Sequence, residues 1–390
     1  MKLIKGKYNT AKVFTDVVED TATDQIKALC SKEIFKDSEI RIMPDVHAGA
    51  GCVIGTTMTI DDAIVPNMVG VDIGCGVDVY EITPKALSFD ELDEAIRRKI
   101  PTGFNIRETE LVEFDIKQFY CAGSLDQNKV NRAIGTLGGG NHFIEVSKGT
   151  DGRMYLLIHS GSRNLGFRVA KYYQDVAKEL EYKRYKTKRE NVIKTVNKTD
   201  ISSELEKVKR ENDGLEYLKY DDYMLSYFHD MRLAQEYATK NRRIISEEID
   251  RELKLNAKLV VSTKHNYIGK DYILRKGAVS ANKFEMFVVP LDMKNGSLIC
   301  MGLGNKEWNF SAPHGAGRKM SRTEAKRNIK LKDYKAIMEG VFSTTVNENT
   351  LDECPMAYKG DISDKLKDTA TIIDILKPVY NFKDDTVGKR

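Results

Sequence analysis

A chain of 390 residues, 41% of them hydrophobic, is long enough to bury a large core, as one big domain or two ordinary ones. It opens on MKLIKGKYNT, which lacks the apolar stretch of a secretory leader, and no run approaches the ~18 apolar residues of a membrane span, so the expected location is cytoplasmic with no membrane partner. A formal net charge of +4 is too mild to demand a nucleic-acid partner, and six cysteines without a C-x-x-C pair argue against a disulfide framework, leaving any special cysteine as a ligand or nucleophile.

Residues 1–80 read as short strands and turns, with GCVIGTTMTI (Gly51 to Ile60) and VDIGCGVDVYEI (Val71 to Ile82) rich in β-branched residues and punctuated by glycine. SFDELDEAIRRKI predicts a helix starting at Ser88, with acidic residues in its first turn and basic ones in its last. A glycine-rich loop, TLGGGNHFIEV, precedes MYLLIHSGSRNLG, whose run Tyr155 to Ile158 predicts a buried strand ending at His159. From about Phe167 to Leu253 proline is absent, charge dominates and apolar residues recur at helical intervals, so a helical insertion is expected. Its lysine-rich middle, KRYKTKRENVIKTVNKTD, reads as a solvated helix face or hairpin, with RNA contact as the alternative. Strands resume with AKLVVSTKHNYI, EMFVVPLDM and SLICMGLG; a helix is expected after HGAGRKMSR, and TATIIDILKPVYNF lies near the end. With no internal repeat and no Pro- or Ser-rich linker, a single α+β domain over 1–390 is the economical reading.

Four of the six histidines, His142, His159, His265 and His314, lie beside a strand-like run or glycine turn, where a rigid scaffold can aim side chains from distant segments at one point. Each alone reads as an ordinary structural residue. Joined to Asp72 and Cys75 of VDIGCG, they supply the oxygen, sulfur and imidazole donors of a metal site, although spacing cannot show that they converge. Glycine on both sides of Cys75 argues for close approach to the backbone there. In HGAGRKMSR, a helix beginning near Gly317 would aim free N–H groups at an anion and set Arg318 and Arg322 on one face for phosphate contact. A histidine before such a cradle, His314, could attack phosphorus through a neutral ring nitrogen; a capping histidine is the plainer alternative. His229, inside the helical segment, reads as structural.

Taken together, PDVHAGAG, VDIGCG, GGGNHFIE, HSGSRNLG, KHNY, HGAGRKMSR and CPMAYKG resemble the RtcB family of RNA-splicing and RNA-repair ligases, in the family's order and from Pro44 to about Lys383. The resemblance implies an α+β fold peculiar to these ligases, with central β-sheets surrounded by helices and a cleft for two Mn2+ ions. It implies Asp72, Cys75, His142, His159 and His265 as metal ligands, Cys75 bridging the two ions, and His314 as the nucleophile that takes GMP from GTP. Asn141, Glu145, Tyr358 and Lys383 resemble residues of the GTP pocket, and Arg163, Arg318 and Arg322 phosphate-binding arginines for nucleotide or RNA ends. Asp45 and His47 match a further motif near the site. The implied reaction joins RNA ending in a 3′-phosphate or 2′,3′-cyclic phosphate to RNA beginning with a 5′-hydroxyl, in a monomer with room for an activating partner. Two other readings stay open: a phosphodiesterase that opens cyclic ends without joining, and a non-catalytic metal-bound RNA-binding protein. A thiolate with imidazoles would ordinarily suggest zinc, so manganese rests on the resemblance. Ala50 and Lys264 stand where relatives often carry other residues, which puts contacts to the RNA ends in question.

Overall fold

The structure, a computed structural model, describes residues 1–220 and 223–386. Its largest sheet has seven strands in the spatial order Lys258–Lys264, Gly76–Ile82, Met154–Ser160, Phe143–Lys148, Ala370–Phe382, Gly296–Gly302 and Met286–Asp292. Every neighbouring pair is antiparallel. The central strands are covered on both faces, which is why Tyr155 to Ile158 reads as continuous apolar sequence rather than as an alternation. On one face Ile158 and Tyr80 pack with Ile245 and Ile249 of the helix Met224–Leu253; on the other Val77, Val79 and Leu157 pack with Val261, Val288 and Ile299. Each such side chain stabilises the sheet by roughly 1.5–3 kcal/mol relative to exposure.

The register of this sheet sets up everything that follows. Val77 pairs with His159, His159 with Phe143, and Gly76 with Lys264. Cys75, His142 and His265 each stand one residue outside a strand, and His159 is the penultimate residue of its own strand. All four therefore lie at the same end of the sheet. The strand Met154–Ser160 runs one residue past the predicted stop at His159. At Gly76 a Cβ would lie 2.0 Å from the Thr263 carbonyl oxygen, so the neighbouring strand is the close approach that the glycine permits.

A second sheet orders Lys2–Lys5, Thr10–Val13, Ile40–His47, Ile54–Thr59, Ile273–Lys276 and Asn266–Ile268, and delivers Asp45 and His47 at the end of its third strand. A two-stranded ribbon, Ala278–Ser280 with Ser311–Pro313, leads directly into His314.

Ser88 caps the helix Phe89–Lys99, accepting a hydrogen bond from the Glu91 N–H at 3.3 Å, as the sequence predicts. The helical stretch expected from Phe167 is formed by Arg163–Thr195, Ile201–Lys207 and Met224–Leu253, with the short strand Leu218–Lys219 between them, so helix begins four residues earlier than expected. Among the described residues no helix is long and apolar enough to cross a membrane. TATIIDILKPVYNF forms the thirteen-residue strand Ala370–Phe382, whose pairing shifts register around Pro378, the residue without an N–H to donate.

One expectation is overturned. The helix expected after HGAGRKMSR is Arg322–Asn328, with Ser321 as its cap in a capping box with Glu324, but no helix starts near Gly317. Gly317 has a φ of 74°, and the chain after it is zipped to the CPMAYKG segment: Arg318 pairs with Tyr358, Lys359 N–H donates to the Gly317 carbonyl (3.0 Å) and Lys319 N–H to the Ala357 carbonyl (2.9 Å). Those backbone bonds compete with helix formation and win. Arg318 and Arg322 consequently do not share a helical face.

Candidate active site

The turn Asp72–Cys75 is fixed from both sides. Gly74 N–H donates to the Asn266 carbonyl (2.7 Å), Cys75 N–H to the Asp72 carbonyl (3.2 Å), and His265 N–H to the Cys75 carbonyl (3.0 Å). Beneath it, fully buried Arg242 donates to Asp78 Oδ1 (2.8 Å), the Gly74 carbonyl (3.2 Å) and the Ser160 carbonyl (3.1 Å), tying the helix Met224–Leu253 to the turn and to the end of the histidine-bearing strand.

On this frame the four histidines form a chain of rings. His142 and His159 have centroids 5.2 Å apart, His159 and His265 5.2 Å, and His265 and His314 5.0 Å. Cys75 Sγ lies 3.4 Å from His142 Nε2 and 3.3 Å from His159 Nε2, and His142 Nε2 lies 3.0 Å from Asp72 Oδ2. Two donor groups result, Asp72–Cys75–His142 and Cys75–His159–His265, each with its ligand atoms within 4.8 Å of one another, and Cys75 belongs to both. The convergence that spacing could not show is thus a property of the sheet end.

This donor set fits a divalent cation. His142 Nδ1 is 2.8 Å from the Leu137 carbonyl, which can only accept, so Nδ1 carries a proton and Nε2 is the nitrogen that faces the sulfur and carboxylate, where a cation would displace any proton shared with Asp72. His159 Nδ1 is buried without a hydrogen-bond partner. Burial pushes the pKa values of His159 and His265 well below the usual imidazole range, assisted by neighbouring rings, so both are neutral as ligands must be. Burial and then Asp72 drive the Cys75 thiol well above its ordinary value; a bound cation would reverse that balance and favour the thiolate. Burial also opposes ionisation of Asp72, but the His142 hydrogen bond and charge hold its carboxyl down to about 2.

Beside the cluster opens a cavity of about 320 Å³. His47, Asp72, Cys75, His159, His265 and His314 line one side, and Asn141, Glu145, Arg318, Arg322, Tyr358 and Lys383 another. His142 sits just behind this wall. Asp45 lies beneath it, its Oδ2 2.8 Å from His314 Nδ1. An ionised carboxylate accepts, so Nδ1 holds a proton, and in the neutral ring Nε2 is the nitrogen that carries the lone pair. His47 Nδ1 donates to the Asp45 carbonyl (2.9 Å). At Gly317 a Cβ would meet the Asp45 backbone and Cβ at 3.0 Å, so this glycine lets the loop after His314 close over Asp45.

Arg163 does not line the cavity: its guanidinium donates to Thr136 Oγ1 (3.1 Å) and the Gly103 carbonyl (2.7 Å), and from there its charge acts on Asp72. Ala50 offers its carbonyl to Lys276, and Lys264 lines a separate cavity with Arg232 and Tyr267, on a different wall from His265. His229 bonds the Gln118 carbonyl (2.9 Å).

Glu353, which sequence reasoning passed over, organises the basic wall. It is 3% exposed and receives Lys383 Nζ (2.8 Å), Arg322 Nη1 (2.5 Å) and the Tyr358 hydroxyl (2.8 Å), with Arg318 Nη1 at 3.5 Å. Burial alone would raise its pKa; Lys383, then Arg322 and Arg318, pull it down to about 2. The available signal was its place immediately before the CPMAYKG motif. Asn381 was also missed: it donates to Glu145 Oε2 (2.8 Å), and its own Oδ1 is a buried acceptor without a partner at the cavity wall. Burial pushes the Glu145 carboxyl up to about 7 despite hydrogen bonds from Ser147 and Asn381.

A family model described as tRNA-splicing ligase RtcB matches residues 25–122 and 124–389. RNA-splicing ligase RtcB of Escherichia coli K12 is 31% identical over 388 residues, covering 88% of each chain. The tRNA-splicing ligases RtcB of Aeropyrum pernix and Methanococcus maripaludis are 27% and 25% identical, covering 82% and 97% of this chain and 81% and 94% of their own. With its mixed α+β architecture and its cysteine–histidine cluster at the sheet end, the chain belongs to the RtcB family of RNA-splicing ligases.

Proposed function

We propose that this protein is a GTP-dependent RNA ligase that joins a 3′-phosphate or 2′,3′-cyclic phosphate end to a 5′-hydroxyl end through a histidine–GMP intermediate, the chain working as one ligase unit. The observation that carries the reading is His314: its Nδ1 is bonded to Asp45, its ring is next to the cation-suited cluster, and a cavity rimmed by Arg318, Arg322 and Lys383 lies before it.

Asp72, Cys75, His142, His159 and His265 would hold the cations, two Mn2+ ions in this reading, with Cys75 common to both. When bound, they supply charge neutralisation at the reacting phosphates. The residues of the chain do the rest. Asp45 keeps the His314 proton on Nδ1, so Nε2 attacks the α-phosphorus of GTP as a new N–P bond forms and pyrophosphate leaves. Lys383, Arg318 and Arg322 bind the phosphates, exchanging part of their hold on Glu353 and Asp352 for the incoming anion. Glu145 and the free Asn381 Oδ1 offer acceptors to the N–H edge of guanine. A cyclic end is first opened by water to the 3′-phosphate. That phosphate, a poor electrophile by itself, takes GMP from His314, and the 5′-hydroxyl then displaces GMP to leave a phosphodiester.

The experiment is product analysis with RNA bearing a 2′,3′-cyclic phosphate, GTP, Mn2+ and a 5′-hydroxyl acceptor. A joined strand that requires GTP supports the proposal. Accumulation of the 3′-phosphate without joining, over a range of divalent ions, contradicts it and identifies a phosphodiesterase; RNA binding without turnover identifies a non-catalytic protein.

A further inference from the structure

The lysine-rich middle of the helical segment is not absorbed by this chemistry. The helix Arg163–Thr195 starts beside the cluster, where Ser162 N–H donates to Asp72 Oδ1 (3.2 Å), and runs 33 residues. At about 1.5 Å per residue, Tyr182 lies on the order of 30 Å along it and Lys194 on the order of 45 Å. Between Lys183 and Lys198 there are seven Lys or Arg residues and one acidic residue, Glu190.

The distribution is ordered. Tyr182, Lys186, Arg189 and Ile193 recur at i, i+4, i+7 and i+11, which is one face of a helix, and Lys183 and Lys194 stand together along one edge of it, about a quarter-turn round. Tyr182 is 40% exposed and Ile193 54%, so this face is not part of the core. Lys186 Nζ lies 4.5 Å from the centroid of the Tyr182 ring, and the Arg210 guanidinium reaches the same ring from the following segment at 4.9 Å. Arg189 lies over Tyr185 at 5.6 Å. Among the described residues, Lys183, Lys186, Lys194 and Arg210 have no carboxylate partner, whereas Lys171 and Lys207 nearby are paired with Asp175 and Glu204. A solvated face needs none of this order. Resting long cationic side chains on aromatic rings limits their freedom before anything binds, which lowers the ordering cost of engaging a polyanion.

We infer that this distal helix face docks the phosphate backbone of an RNA stem whose broken end lies in the cleft. The inference rests on the ligase reading for the identity of the polyanion. An RNA reaching from Asp72 to Tyr182 must extend about 30 Å, which takes more than about nine base pairs, because A-form RNA rises less per pair than the ~3.4 Å of B-DNA. A single strand of a few nucleotides would engage the cleft alone.

The test compares full-length protein with a variant carrying Lys183→Glu, Lys186→Glu and Lys194→Glu, and with the corresponding triple Gln variant, which keeps helix propensity should charge reversal impair folding. Binding is measured as a function of salt for a hairpin with about twenty base pairs and for a five-nucleotide strand with the same 3′ end. GMP loading from GTP reports an intact cleft. The expected result is at least a tenfold loss for the hairpin, no loss for the short strand, and a salt slope lower by about 2–3, since each lost phosphate contact removes about 0.7–0.9. Equal affinity of wild type and variants for the hairpin overturns the inference, as does equal loss for both RNAs or failure of wild type to prefer the hairpin. Absence of GMP loading in all three proteins would refute the ligase reading alone, because the hairpin comparison does not depend on it.

Discussion

Replacing Glu353 by Gln keeps its shape but removes the charge that Lys383, Arg322 and Arg318 share. The folded carboxyl titrates at about 2 against an ordinary value of 4.5. That difference corresponds to about 3 kcal/mol of stability at neutral pH. The sign follows from the direction of the shift. A depressed carboxyl stabilises the fold above its unfolded pKa of 4.5 and loses that contribution as pH falls through its folded value of about 2. Glu353→Gln is therefore expected to be about 3 kcal/mol less stable than wild type at pH 7, about 1 kcal/mol less stable at pH 3, and nearly equal at pH 2. Denaturant unfolding of both proteins at each pH measures the difference directly and cancels the titration of the other acids. A gap that stays constant from pH 7 to pH 3 would refute the reasoning, since it would mean that Glu353 acts by packing rather than by charge.

Three further predictions follow from the same geometry. Arg242→Ala, which leaves Asp78 buried without its cation, should destabilise the protein by about 3–5 kcal/mol, and Arg242→Ala with Asp78→Ala should recover part of that loss in a double-mutant cycle. Glu145, raised to about 7 by burial, costs stability as pH rises from 4.5 through 7, so Glu145→Gln should be more stable than wild type at pH 8 and no more stable once the pH is well below 4.5, while binding GTP more weakly at pH 8. Asp45→Asn, which can no longer fix the His314 tautomer, should slow GMP loading by about 10²-fold or more while leaving the melting temperature nearly unchanged; an equal fall in both would assign Asp45 to stability.

The sequence carried residue types better than it carried their arrangement. Ser88 and its helix were legible because cap and helix are neighbours along the chain, as was the strand Met154–Ser160, whose apolar run announces burial; Lys258–Lys264 was legible as a strand from its β-branched residues, although Leu259 and Val260 are exposed. The histidine chain was legible only as a set of candidates, because the register that lines up Cys75, His142, His159 and His265 pairs residues up to 188 positions apart in sequence. The reading of HGAGRKMSR as a helix start failed for the same reason: local composition permits the helix, but the bonds to Ala357 and Lys359 come from a remote segment. Glu353 escaped notice because a lone glutamate in a polar stretch has no signature until Lys383 and the two arginines fold onto it.

Attachment of GMP to His314 is the step on which the ligase reading turns. Incubation with GTP and Mn2+, followed by peptide mapping of the modified protein under non-acidic conditions, should locate a single guanylyl group on His314, absent from His314→Ala and absent when a chelator precedes the nucleotide. A guanylyl group found on a lysine or on another histidine, or none at all with any divalent ion, would contradict it.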